Sequence, residues 1–131
     1  MARLYFNERT RANWEPADYT ANETDTVINV AAGDYWAGDC MVRVREVFNG
    51  GGTDAIIIIG DGDDDNGGLE AGQCDETTVG IYRGGGAYYA TRPKLYTAAD
   101  TIDIGFTANT SGTRTTGIID LAVYIAKVDP H

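Results

Sequence analysis

The chain has little of what most chemistry needs. Its 131 residues hold one histidine, His131 at the last position, and one serine, Ser111 in a Thr-Ser-Gly turn. A Ser-His-Asp triad needs an imidazole held by a third group inside a fold, which a terminal residue does not offer. Cysteine is nearly absent too. Cys40 and Cys74 are neither a CxxC pair nor spaced as zinc ligands, and both are expected as free thiols. Basic residues number 10 against 20 acids, for a net charge of −10, and only Lys94 and Lys127 are lysines. Nucleic acid and anionic membranes both require a basic footprint, so neither is an expected partner. No apolar run approaches the ~18–20 residues of a transmembrane helix. The opening Met-Ala-Arg-Leu-Tyr-Phe-Asn-Glu-Arg has no apolar core of a signal peptide, so synthesis in a cytoplasm is expected. Together these absences predict a chain that is not an enzyme.

What is present favours strands. Glycine is abundant at 17 residues, threonine is frequent and lysine scarce, which suits extended segments joined by tight turns. Val42 and Val44 alternate with Arg43 and Arg45, and the parity breaks at Glu46-Val47, where a bulge is expected. Ala55 to Ile59 is a continuous apolar run, as in a strand covered on both faces. Ile102, Ile104 and Phe106 alternate with polar or small residues, and so do Ile119, Leu121, Val123 and Ile125. Thr26–Val30, Thr77–Tyr82 and Ala87–Ala90 are further candidates. No apolar stripe of helical period persists over three turns. The pattern predicts an all-β antiparallel β-sandwich, jelly-roll or Ig-like, of 7–9 short strands. Residues 24–131 form the expected sandwich domain, with Ile56, Ile58, Ile102, Ile104, Phe106, Leu121, Val123 and Ile125 in its core. Residues 1–23 show no clean period and are expected as an irregular N-terminal arm.

Two regions are candidate sites. Asp61, Asp63 and Asp65 stand at alternate positions in a Gly-rich loop, a spacing that can offer several oxygens to Ca²⁺. The EF-hand pattern fails, because its glycine and glutamate positions fall on Asn66 and Gly72. A solvated turn explains the same residues, since Asp, Asn and Gly all serve turn backbones. The second region is the arm. Arg3, Arg9 and Arg11 against Glu8 make residues 1–11 net +2, whereas residues 54–76 hold eight acids and no base. Arg3, Leu4, Tyr5, Phe6, Arg9, Arg11 and Trp14 are the expected partner-binding residues, with charge for steering and apolar anchors for affinity. Trp14, Trp36, Tyr82, Tyr88, Tyr89 and Tyr96 offer either a sugar-stacking platform or ordinary core and sheet-face aromatics.

The order of these segments carries a resemblance. A Thr-Val-Ile strand is followed by Ala-Gly-Asp-Tyr, a Val-Arg-Val strand ending in Phe-Asn-Gly, and Ile-Ile-Ile-Ile-Gly-Asp-Gly-Asp-Asp. Later come Tyr-Thr-Ala-Ala-Asp-Thr-Ile and Thr-Gly-Ile-Ile-Asp-Leu-Ala-Val-Tyr-Ile. Over residues 24–128 this resembles small β-sandwich virion proteins of tailed bacteriophages, which serve as auxiliary head or decoration proteins and in related fibre or tail roles. The resemblance implies a non-enzymatic virion protein that binds the major capsid protein, other copies of itself, or both. It also implies synthesis in the host cytoplasm without a signal peptide. The alternative is a carbohydrate- or receptor-binding module on a tail or fibre.

Overall fold

In the computed structural model the backbone is described for residues 3–49, 56–84, 94–108 and 114–129, with the side chains of 3–9, 37–38 and 127–129 outside that description. The described residues form eight strands: β1 (Arg3–Trp14), β2 (Glu23–Val30), β3 (Tyr35–Glu46), β4 (Ile56–Asp61), β5 (Gly80–Arg83), β6 (Lys94–Leu95), β7 (Asp100–Thr107) and β8 (Ile118–Asp129). They make two antiparallel sheets. The larger runs β1-β8-β3-β5, with β6 also on β3, and the smaller runs β2-β7-β4. Apart from β5 and β6, consecutive strands lie in different sheets, so the chain crosses the sandwich at almost every connection. An Ig sandwich places consecutive strands side by side. Here every hydrogen-bonded neighbour is non-consecutive, which is the strand order of a jelly roll.

Period-2 alternation decides what lies between the sheets. Cys40, Val42 and Val44 of β3 and Ile119, Leu121, Val123 and Ile125 of β8 are buried on the inner face of the larger sheet. Ile102, Ile104 and Phe106 of β7 close on them from the smaller sheet, as expected. One expectation is overturned. Ile57 and Ile59 are the buried residues of β4, while Ile56 and Ile58 are half-buried on its outer face. A five-residue apolar run has no parity of its own. Pairing with β7 supplies it, because Ile57 sits opposite Phe106 and Ile59 opposite Ile104. The bulge expected near Glu46 is present as a register shift between Val44 and Glu46. The strand expected at 87–90 lies outside the described residues.

Residues 3–14 are not irregular, contrary to expectation. They form a 12-residue strand along β8, from Arg3 opposite Asp129 to Trp14 opposite Ile119. A bulge interrupts the register between Arg11 and Trp14. Asn13 supplies it with φ 56, a left-handed conformation that Asn tolerates better than most side chains. Its N–H donates to Asp120 Oδ1 at 2.9 Å. The extra residue turns Trp14 inward, where its ring packs against Phe106 at 6.3 Å between centroids, in a cluster continued by Phe48.

Candidate functional site

The acidic loop is a built structure. Asp61 ends β4 with its side chain fully buried, and its Oδ1 accepts the backbone N–H groups of Asp63 and Asp64, each at 3.0 Å. Its Oδ2 accepts the Tyr96 hydroxyl at 2.7 Å and the Lys94 ammonium at 2.9 Å. Lys94 Nζ also reaches Asp63 Oδ2 at 2.6 Å and Asp100 Oδ2 at 3.9 Å, and lies 4.8 Å from the centre of the Tyr96 ring. Burial pushes the Asp61 carboxyl up, but the bonds from Lys94, Tyr96 and the two backbone N–H groups outweigh it and hold the group below its ordinary range. Beyond Asp61 the loop folds back, and the backbone of Asp64 and Asp65 lies where a Cβ on Gly60 would stand. Only glycine fits there.

Of the three expected metal ligands, Asp61 and Asp63 come together and are joined by Asp100, their carboxylate oxygens within 4.8 Å of one another. Asp65 is not in this group. The Lys94 ammonium already bonds two of the three carboxylates, so a metal ion would have to displace it. Sequence reasoning missed Asp100 and Lys94, because the fold brings them to Asp61 from more than thirty residues away. One signal was available: Lys94 is one of two lysines in an acid-rich chain, and such a cation finds carboxylates.

The expected partner-binding residues divide. The backbone of Arg3, Leu4, Tyr5, Phe6 and Arg9 runs within β1, and their side chains lie outside the described residues. Arg11 turns to its own chain, its Nη1 donating to the Thr26 carbonyl at 3.0 Å. Trp14 is core and offers no surface anchor. It is buried, and its indole N–H donates to Asp25 Oδ2 at 2.9 Å. Trp36 and Tyr96 are buried as well, so these aromatics pack the sandwich and present no stacking platform. Tyr82 is half-buried, and Tyr88 and Tyr89 lie outside the described residues. Cys40 and Cys74 are free and buried, and burial pushes both thiols up to about 12, which leaves them unreactive.

The outer face of the larger sheet carries a groove of about 320 Å³, walled by Met41, Arg43 and Ile81 beside Ala12 and Ala122. Small residues at the last two positions leave the space. Ile81 is 63% exposed beside it. Arg45 pairs with Asp120 at 3.3 Å on the same face.

This architecture has a solved counterpart. A chain in the "Acidic stable capsid structure of Helicobacter pylori bacteriophage KHP30" is similar to it over 100% of both chains, with a TM-score of 0.54 and 9% sequence identity. At that identity the likeness is one of fold. No protein-family model matches the chain, and no curated protein matches it in sequence.

Proposed function

We propose that this chain is a non-catalytic structural protein of a phage virion, seated on the capsid shell as a decoration or auxiliary head protein. One observation carries the reading: the fold of this chain is similar over its full length to that of a chain from a phage capsid structure. Two features of the molecule agree with it. The polar clusters of the described residues are turned inward on their own chain, as at Asp61, Lys94 and Tyr96, and serve to fix loops. The grooves on the outer sheet faces, of about 320 and 260 Å³, lie at or below the small end of ligand-pocket sizes. In this reading the partners are the major capsid protein, further copies of this chain, or both. Synthesis takes place in the host cytoplasm.

The experiment is gradient purification of the parent particles followed by mass spectrometry of each fraction. The chain should migrate with the major capsid protein. Its recovery only at the top of the gradient, with the free proteins of the lysate, would overturn the role.

A further inference from the structure

The two outer faces of the sandwich differ in charge in a way that the net charge of −10 conceals. On the larger sheet, register fixes which side chains point outward. Met41 is opposite Ala122 and Arg83, while Arg43 is opposite Asp120 and Ile81. Arg45 joins this face through its ion pair with Asp120. Arg43 and Arg83 are exposed and make no ion pair among the described residues. The face thus presents two aliphatic side chains, Met41 and Ile81, at a groove where Arg43, Arg45 and Arg83 outnumber Asp120.

The smaller sheet presents the opposite. Its outward positions include Ile56 and Ile58, with Ile58 lying over Gly105, whose added Cβ would stand 2.8 Å from it. Asp103 points outward between the buried Ile102 and Ile104, opposite Gly60. Asp64 and Asp65 cross that same spot. Asp65, Glu23 and Ile58 line a groove of about 260 Å³. Of the cations near this side, Lys94 is engaged by Asp61 and Asp63, and Arg11 donates to the Thr26 carbonyl. The larger sheet's face therefore carries an aliphatic pair among Arg43, Arg45 and Arg83 against Asp120, and the smaller sheet's face an aliphatic pair flanked by carboxylates, so the net charges of these groups are opposite in sign.

We infer that copies of this chain associate head-to-tail, the outer face of the larger sheet of one docking on the outer face of the smaller sheet of the next. Burial of Met41 and Ile81 against Ile56 and Ile58 supplies the apolar contact, and Arg43 and Arg83 against Asp65 and Asp103 set orientation and register. Because the two surfaces differ, the contact is heterologous, and repeating it closes a ring or extends a row. The inference deepens the proposed structural role by naming its self-contact. It is tested in solution, so its failure is distinct from absence of the chain from particles.

The test is sedimentation velocity of the full chain across concentration and salt. The parent should self-associate, and association should weaken about tenfold or more as NaCl rises from about 50 mM to about 500 mM. R43E/R83E places acids at the docking positions of both faces and D65K/D103K places bases there, so each variant alone should sediment as a monomer. Their equimolar mixture should recover the association. Circular dichroism verifies that each variant folds, and R43Q/R83Q, which only removes charge, provides a milder version with intermediate weakening. A parent that stays monomeric at every concentration would overturn the inference. So would an association indifferent to salt, or a mixture no more associated than its components.

Discussion

Replacing Trp14 with alanine tests whether the first strand is part of the fold or an appendage to it. The indole is almost wholly buried, packs against Phe106, and donates its N–H to Asp25. Truncating a buried Trp costs about 3–5 kcal/mol through lost transfer energy and the cavity left behind. Asp25 also loses a donor, but it is half-exposed and water replaces much of that bond, so this adds about 1 kcal/mol. The sum, about 4–6 kcal/mol, is a large share of the 5–15 kcal/mol that holds a typical domain together. In urea, with a slope of about 1–3 kcal/mol per molar, the unfolding midpoint should fall by about 1.3 M or more. Trp14→Phe keeps a ring beside Phe106 and loses only the N–H and some volume, for a cost of about 1–2 kcal/mol. A chain beginning at Thr24 goes further: it strips β8 of a partner along ten register pairs and should not fold cooperatively. A Trp14→Ala stability within about 1 kcal/mol of the parent, or a truncated chain with an unchanged midpoint, would refute the reasoning.

Acid should unfold the chain through its paired carboxylates. Asp61 and Asp120 have folded pKa values below the ordinary one. Their contribution is therefore complete above the unfolded value of about 4 and is lost as pH falls through the folded values. The urea midpoint should drop below about pH 4, and Asp61→Asn should shrink that drop; a midpoint flat from pH 5 to pH 2 contradicts it. Gly68→Ala should cost about 1–3 kcal/mol, because the new Cβ would stand 2.5 Å from Trp36 Cη2 in a ring with no exposed surface to move into. A thermal scan showing parental stability would show that the Trp36 pocket is looser than its burial implies. Alkylation should modify both cysteines only after denaturation, with intact mass showing two adducts; fast labelling of the native chain would place a thiol at the surface. Calcium and chelator should each leave the melting temperature unchanged, since Lys94 already bonds the Asp61 and Asp63 carboxylates. A chelator-sensitive drop would mean that a cation competes with the ammonium.

Strands with one apolar face were legible from periodicity alone. Those of β3, β7 and β8 follow the alternation of Val42 and Val44, of Ile102 to Phe106, and of Ile119 to Ile125. The strand β1 was not legible, for a physical reason. The positions opposite Ile125, Val123 and Leu121 are Asn7, Arg9 and Arg11, so the strand has no apolar stripe to read. Arg11 shows how such a residue is tolerated at an edge, by bonding the carbonyl of Thr26 on the facing sheet. In β4 the difficulty was the reverse: apolar residues at every position hide which face is inside. The acidic loop was legible as a loop and as a cluster, but its third acid and its cation arrive from β7 and β6 through pairings that no local pattern encodes. Trp14 looked like an interface anchor because it stands among polar residues, and a single bulged asparagine turns it into the core.

We propose that this sandwich is a repeated part of a phage shell. The most direct test is the stoichiometry of the chain to the major capsid protein in purified particles, measured by quantitative mass spectrometry with isotope-labelled peptides. A decoration protein should be present in many copies, at a fixed ratio to the shell protein from one preparation to the next. A few copies per particle would place the chain at a tail tip or fibre, and none would remove it from the virion.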